Sequence, residues 1–171
     1  MLEILGHAGA RATFFMIGEQ VERRPELAAE VVAAGHAVAL HGHRHRLQLR
    51  LSAAEISADL RRGAAAIEDA TGTSPELHRP PYGIYSASGL ALARERFTPL
   101  LWSRWGKDWR RLTTAGRIAG RATRHLAPGD VILLHDADFY SAKGSHERTA
   151  EALPLILTEL KRIETATVLP V

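Results

Sequence analysis

The most constraining feature of the sequence is the alternation of short apolar runs with longer stretches rich in Ala, Leu, Arg and Glu. The apolar runs predict strands over residues 11–17, 36–40, 76–79, 98–102, 130–135 and 166–169. The longer stretches predict a first helix that Gly9 ends, helices over 25–34, 52–70, 86–96 and 113–126, and a last helix that ends near Ile163. Strands that alternate with helices are typical of parallel α/β proteins. We therefore expect one α/β domain over residues 1–171.

Composition excludes several classes of function. The chain has no cysteine, so a metal would have to be held by His, Asp or Glu. Its net charge of +3 comes largely from arginines that are dispersed rather than clustered, which favours a solvated surface over a nucleic-acid-binding patch. No apolar run reaches the ~20 residues that cross a bilayer. We therefore expect neither a nucleic-acid partner nor a membrane segment in this sequence.

A pair of histidines, His41 and His45, follows the predicted strand over 36–40. Neutral imidazole is the commonest protein ligand for Zn²⁺, and catalytic zinc sites usually combine three protein ligands with an open position. An isolated His-x-x-x-His pair is also consistent with a solvated turn. Taken alone, the pair leaves a metal site and a turn as alternatives.

Three more polar residues lie at or just after predicted strand ends, where parallel sheets usually carry their chemistry. His135 closes the apolar run Val-Ile-Leu-Leu, so it is either an acid–base residue or a core-edge histidine bonded to backbone. Arg79 precedes a rigid Pro-Pro turn and either pairs with a carboxylate or lies on the surface. Asp108 could orient His135, neutralise Arg79 or simply form a turn.

Three tryptophans, Trp102, Trp105 and Trp109, fall within eight positions of each other. Such a cluster could form a wall on which sugar rings stack. Packing in the core explains it equally well.

Five segments in one order then identify a family resemblance. They are Thr13-Phe14-Phe15, His41 to His45, Arg79 to Gly83, Asp108-Trp109 and Leu133 to His135. Together they resemble the polysaccharide deacetylases of carbohydrate esterase family 4 (the NodB homology domain), over essentially the whole chain. The resemblance implies a distorted (β/α)₇ barrel and metal-dependent hydrolysis of N- or O-acetyl groups on a carbohydrate such as chitin, peptidoglycan or xylan.

The resemblance also implies catalytic and metal-binding roles. His41 and His45 match the two metal-binding histidines, with Zn²⁺ as the expected ion and Co²⁺ or Ni²⁺ as alternatives. His135 matches the general acid, and Arg79 matches the arginine that holds the catalytic base. Asp108 matches the aspartate at the end of the family's fourth motif.

The substrate-binding residues that the resemblance implies are Pro81, Tyr82, Trp109 and Leu133. Leu133 would line the acetyl pocket, and the backbone N–H of Tyr82 would face the oxyanion. Trp105 departs from the pattern, because it stands where the family often has the aspartate that begins the fourth motif.

The start of the sequence departs from the family more strongly. In the family, a TFDDG-type motif precedes the segment that resembles residues 1–15, and its aspartates supply the catalytic base and the third metal ligand. No aspartate precedes Asp59 here. We therefore expect an N-terminally incomplete domain without the first barrel strand, with weak or absent metal binding and little or no activity. Exposed strand edges would then favour a homodimer.

Three hypotheses follow: a deacetylase whose beginning is missing, a non-catalytic relative that binds acetylated oligo- or polysaccharides, and a metal- or nucleic-acid-binding module. The sequence ranks them in that order. Met1–His7 lacks the basic and apolar regions of a signal peptide. A cytoplasmic location is therefore expected for the sequence as it reads, and an extracellular or cell-envelope location if a signal segment preceded it.

Overall fold

The structure, a computed structural model, describes residues 1–163 and 166–170. In chain order the helices are α1 (Leu2–His7), α2 (Gly18–Arg23), α3 (Pro25–Ala33), α4 (Ala53–Thr71), α5 (Ala87–Arg94), α6 (Ala115–Ala122) and α7 (Ser145–Arg162). The strands are β1 (Thr13–Met16), β2 (Ala37–Leu40), β3 (Leu77–His78), β4 (Thr98–Pro99), β5 (Arg104–Trp105) and β6 (Ile132–Leu133). Two 3₁₀ turns cover Gln48–Arg50 and Pro81–Gly83.

The chain divides into two compact units. The four-stranded unit comprises Ala12–Leu101 together with Leu169 and Pro170, and its sheet has the order β1-β2-β3-β4. The two-stranded unit comprises Met1–Arg11 and Trp102–Val168, and contains β5 and β6. Every strand pair is parallel, which confirms the α/β class. Closure into a (β/α)₇ barrel stays a prediction.

Helix α4 shows how local sequence sets the ends of an element. The hydroxyl of Ser52 accepts a hydrogen bond from the N–H of Glu55, and the Glu55 carboxylate accepts one from the N–H of Ser52. This capping box satisfies donors that the first turn leaves without helical partners. Gly72 ends the helix in the left-handed conformation, with φ 67°. Both ends agree with the predicted helix.

Close backbone contact brings α4 against the end of β2. A Cβ on Gly63 of α4 would lie 2.7 Å from Leu40 Cδ1 and 2.8 Å from the backbone nitrogen of His43. A Cβ on Gly18 would lie 2.8 Å from the Cα of Gly63. Only glycine fits at these two positions, so the loop after β2 packs directly on backbone.

The two-stranded unit contains a short pair of parallel strands, β5 and β6, and two contacts between helices that are distant in sequence. In the pair, Arg104 lies beside Ile132 and Trp105 beside Leu133. Helices α6 and α7 pack against each other, and Ile118 and Ile156 are among their fully buried side chains. Helix α1 also contacts α7.

Several predicted details were wrong. The apolar spacing of the helix over 25–34 predicts an inner face with Leu27 and Val31, but Leu27 is 45% exposed, because the helix packs through Ala28 and Val31 instead. The predicted buried strand over 130–135 shrinks to a half-buried β6. Residues 166–169 lie outside any strand. Helix α2 and strand β5 were not predicted at all. No helix in the described part of the chain is both long and apolar enough to cross a bilayer.

We predict opposite effects for two glycine-to-alanine substitutions inside helices. Gly63→Ala should lower the free energy of unfolding by about 1–3 kcal/mol, since the added methyl meets backbone that cannot move away. Gly120→Ala in α6 should raise it by about 0.5–1 kcal/mol, because a Cβ there meets nothing within 4 Å. Urea denaturation followed by circular dichroism measures both. Equal effects of the two substitutions would contradict the packing described here.

Candidate functional site

The loop that carries His41 and His45 is held by its backbone. The N–H groups of His43 and Arg44 donate to the Asp59 carboxylate of α4, at 2.8 and 3.2 Å. Gly42 has φ 84°, and its carbonyl accepts a hydrogen bond from the Gly18 N–H. These contacts fix the direction of the chain as it leaves β2.

The rings of His41 and His45 lie side by side, with centroids 5.3 Å apart. His41 Nδ1 is 2.6 Å from the carbonyl oxygen of Arg79. A carbonyl can only accept, so Nδ1 carries the proton and Nε2 carries the lone pair. Burial lowers the pKa of His41 to about 3, although the hydrogen bond to Arg79 opposes this shift. The imidazole is therefore neutral at physiological pH.

These features are compatible with two positions in the coordination shell of a metal ion. Metal-binding histidines are neutral and typically donate their second ring N–H to a carbonyl or carboxylate, as His41 does. His43 packs elsewhere, with Nε2 3.9 Å from Glu22 Oε2. Within residues 1–163 and 166–170, no three His, Cys, Asp or Glu side chains converge to hold a metal. The described residues therefore offer two imidazoles and no carboxylate ligand beside them.

Arg79 is buried rather than exposed. Its guanidinium donates to the carbonyls of Leu100 and Leu101, at 2.9 and 2.7 Å, and lies 3.9 Å from the centroid of the Phe15 ring. Burial lowers the pKa of Arg79 to about 10, so the side chain stays cationic at neutral pH. This places a fixed positive charge next to the His41 backbone contact.

Tyr82 has an uncommon backbone conformation for a residue with a side chain, with φ 62°. Its ring is 59% exposed and lies 4.6 Å from the His45 ring. Non-glycine residues with positive φ cost energy and are concentrated at functional sites. Pro81, just before it, is buried. The turn therefore presents an aromatic face beside the second histidine.

Sequence reasoning missed His78, which is fully buried in β3. The Tyr85 hydroxyl donates to the His78 carbonyl, so it accepts from His78 Nδ1 at 2.8 Å. The buried Nε2 of His78 has no hydrogen-bond partner in the described structure, and burial lowers the pKa of His78 to about 4. His78 is thus a second neutral histidine near His41.

In the two-stranded unit, Asp108 and His135 form a buried hydrogen-bonded pair. The Asp108 carboxylate, which is fully buried, accepts from the His135 backbone N–H at 2.6 Å and from His135 Nδ1 at 2.9 Å. It also accepts from the Thr149 hydroxyl at 2.9 Å. Burial raises the pKa of Asp108, but the hydrogen bonds and charge of His135 outweigh it and hold the pKa below its usual value.

An ionised Asp108 fixes the tautomer of His135. Nδ1 must donate to the carboxylate, so Nε2 is the nitrogen left for chemistry. The His135 side chain is 37% exposed, which leaves the ring accessible. Of the two partners that the sequence left open for Asp108, the structure pairs it with His135. No sequence signal pointed to Thr149, which lies 41 residues after Asp108.

Trp109 packs beside this pair, and Leu133 is close to it in the chain. The Trp109 ring meets the His135 ring edge-on, with centroids 5.5 Å apart. Leu133 is half-buried and precedes His135 by two residues. The structure therefore gathers the predicted site residues into two groups: Arg79, Pro81, Tyr82 and the histidine pair in the four-stranded unit, and Asp108, Trp109, Leu133 and His135 in the two-stranded unit.

The family model for polysaccharide deacetylases matches residues 1–96. A peptidoglycan-N-acetylglucosamine deacetylase of Bacillus cereus is 32% identical over 165 residues, which cover 95% of this chain and 74% of that protein. The chain therefore belongs to the polysaccharide deacetylase family and is a hydrolase by family.

Solved structures agree with this assignment. A family 4 carbohydrate esterase from Streptomyces lividans, in complex with acetate, is 30% identical with a TM-score of 0.86, over 98% of this chain and 83% of that chain. A pseudoenzyme of the same esterase family from Bacillus anthracis is 26% identical with a TM-score of 0.85, over 97% of this chain and 56% of that chain. The fold is thus similar to that of both an esterase and a pseudoenzyme.

We predict that Thr149→Val will lower the free energy of unfolding by about 1–3 kcal/mol, because Asp108 loses a buried donor. Thr158→Val in the same helix is the matched control. Each hydroxyl also donates to the carbonyl four residues earlier, but Thr158 is exposed. Its substitution should change stability by less than about 0.5 kcal/mol. Equal losses in urea denaturation would show that Asp108 does not depend on Thr149.

Proposed function

We propose that this chain is a metal-dependent deacetylase of N-acetylated glycans of the peptidoglycan or chitin type, with low activity as the polypeptide stands. The observation that carries the proposal is the Asp108–His135 pair. It leaves His135 Nε2 as the accessible nitrogen of an oriented ring. The name of the Bacillus cereus relative, a peptidoglycan-N-acetylglucosamine deacetylase, supports this choice of substrate.

The reaction adds water to the acetyl carbon, breaks the bond between that carbon and nitrogen, and yields acetate and an amine. His135 would give its Nε2 proton to the departing nitrogen, and Asp108 would stabilise the cationic ring before that transfer. Leu133 would contact the acetyl methyl group. Pro81 and Tyr82 would bind the sugar, and the Tyr82 N–H would donate to the developing oxyanion.

His41 and His45 would hold the metal, with Zn²⁺ favoured over Co²⁺ or Ni²⁺. When bound, the ion would polarise the acetyl carbonyl and lower the pKa of water. His41 suits this role, because it stays neutral and its Nδ1 is already occupied by the Arg79 carbonyl. Arg79 would add positive charge close to the reacting group.

Low activity is proposed because two imidazoles bind Zn²⁺ less firmly than three ligands, and because none of the assigned residues serves as the base. A second candidate is a non-catalytic glycan-binding protein. The likeness to a pseudoenzyme of the same family favours it, since the fold persists there without the reaction. Both candidates bind acetylated glycan, and they differ in whether acetate is released.

The deciding experiment measures acetate released from N-acetylglucosamine tetramer with added Zn²⁺, beside the Bacillus cereus peptidoglycan-N-acetylglucosamine deacetylase. A missing general base costs about 10²–10⁴-fold, so we expect release lower than that of the Bacillus cereus enzyme by that factor. His135→Ala should abolish the residual release, whereas His146→Ala, a change to a half-exposed histidine in the same unit, should preserve it.

Each other result has a definite meaning. Release at the rate of the Bacillus cereus enzyme, lost in His135→Ala, would contradict low activity. Binding of the tetramer without any release would favour the non-catalytic candidate. Residual release that survives His135→Ala would refute the proposed acid.

We predict weak zinc binding that depends on the histidine pair. Isothermal titration should give an affinity that falls by about tenfold or more in His41→Ala, since half of the protein ligands are lost. His146→Ala should bind zinc as the unchanged protein does. Zinc affinity that is equal in His41→Ala and His146→Ala would show that the ion binds elsewhere.

A further inference from the structure

The three tryptophans form a continuous row in the two-stranded unit. The centroids of Trp102 and Trp105 are 5.7 Å apart, and those of Trp105 and Trp109 are 5.3 Å apart. The row then reaches His135, whose ring lies 5.5 Å from that of Trp109. The whole sequence has no other tryptophan. All of the indole surface of this protein is therefore in one place, next to the residue proposed to act as the acid.

Core packing does not explain this row. Trp105 is 38% exposed, and Trp102 and Trp109 are half-buried. The core of the same unit is made of fully buried aliphatic side chains such as Ile118 and Ile156. Exposed neighbouring aromatic rings are costly to hydrate, so a persistent row of them indicates a binding surface.

The backbone around Trp105 keeps the row in position. Trp105 lies beside Leu133 in the parallel pair, so it adjoins the leucine assigned to the acetyl group. The next residue, Gly106, permits close packing on α6, because a Cβ there would lie 2.6 Å from Ile118 Cγ2. Lys107 follows with φ 53° and holds its ammonium group 4.8 Å from the Trp105 ring centroid. The close packing at Gly106 and the cation–π contact with Lys107 thus both favour this position of the exposed ring.

We propose that Trp102, Trp105 and Trp109 form a platform that binds the sugar residues next to the one that reacts. The platform therefore selects oligomers over single sugars. Sugar rings carry an apolar C–H face that can cover an indole while their hydroxyls remain in water. An indole likewise combines a large apolar face with a polar N–H, which suits partly wet interfaces. A β-linked N-acetylglucosamine chain extending from His135 would cover the row in sequence.

Trp105 is the decisive residue of the platform. It is the most exposed of the three rings, it lies between the other two, and its Leu133 neighbour links it to the site. The inference rests on the proposed function for its choice of sugar. Binding can nevertheless be measured without turnover, so the two proposals can fail separately.

Intrinsic fluorescence provides the test, because every tryptophan of the protein belongs to the platform. Titration with N-acetylglucosamine and with its dimer, tetramer and hexamer should change the emission. We expect affinity to rise at least about tenfold from the monomer to the tetramer. In calorimetry, Trp105→Ala should weaken tetramer binding about tenfold and leave monomer affinity nearly unchanged. Trp105→Tyr should restore much of the loss, because it keeps an aromatic face.

Leu112→Ala is the matched control, since Leu112 is 86% exposed in the same unit and has no part in the row. It should bind the tetramer like the unchanged protein. Circular dichroism would establish that each variant is folded. Affinity independent of chain length, no binding of the tetramer, or equal affinities in Trp105→Ala and Leu112→Ala would each overturn the platform. Tetramer binding that needs Trp105 but releases no acetate would uphold the platform and count against the deacetylase.

Discussion

The contact between α4 and the end of β2 is the constraint on which the four-stranded unit depends. Gly63 lets the helix backbone meet the chain at Leu40 and His43, and one turn earlier Asp59 accepts hydrogen bonds from the loop's own N–H groups. The loop that bears the histidine pair is therefore shaped by helix packing and glycine. A backbone held in this way loses little entropy when a ligand binds, which favours binding at such a loop.

Sequence reasoning succeeded where the physical signal is local. The capping box at Ser52 and the left-handed Gly72 mark both ends of α4, and each motif lies within four residues. Short elements carry too little signal. Helix α2 has six residues and no side-chain cap, and β5 has two residues that pair with β6. Leu27 was misplaced because apolar spacing alone does not reveal that a helix packs through a small residue such as Ala28.

Long-range partners could be predicted only in part. The sequence placed His135 at a strand end and proposed Asp108 as one of its partners. The third member, Thr149, is an ordinary threonine within a helix until the fold brings it to the carboxylate. His78 was missed as well, because what distinguishes it is its complete burial, and it belongs to no sequence motif. Burial and hydrogen-bond partners are properties of the tertiary structure, and a single sequence does not record them.

The histidines also show that residues of one type can have different chemical properties when their surroundings differ. Burial beside a backbone carbonyl keeps His41 neutral, with Nε2 as a lone-pair donor suited to a cation. An ionised carboxylate at Nδ1 instead fixes the tautomer and orientation of the His135 ring, so Nε2 is the nitrogen left over. The acceptor beside His41 is neutral and the ring is buried, whereas the acceptor beside His135 is charged and the side chain is 37% exposed. The nearest acceptor, neutral in one case and charged in the other, therefore gives two residues of the same type different surroundings.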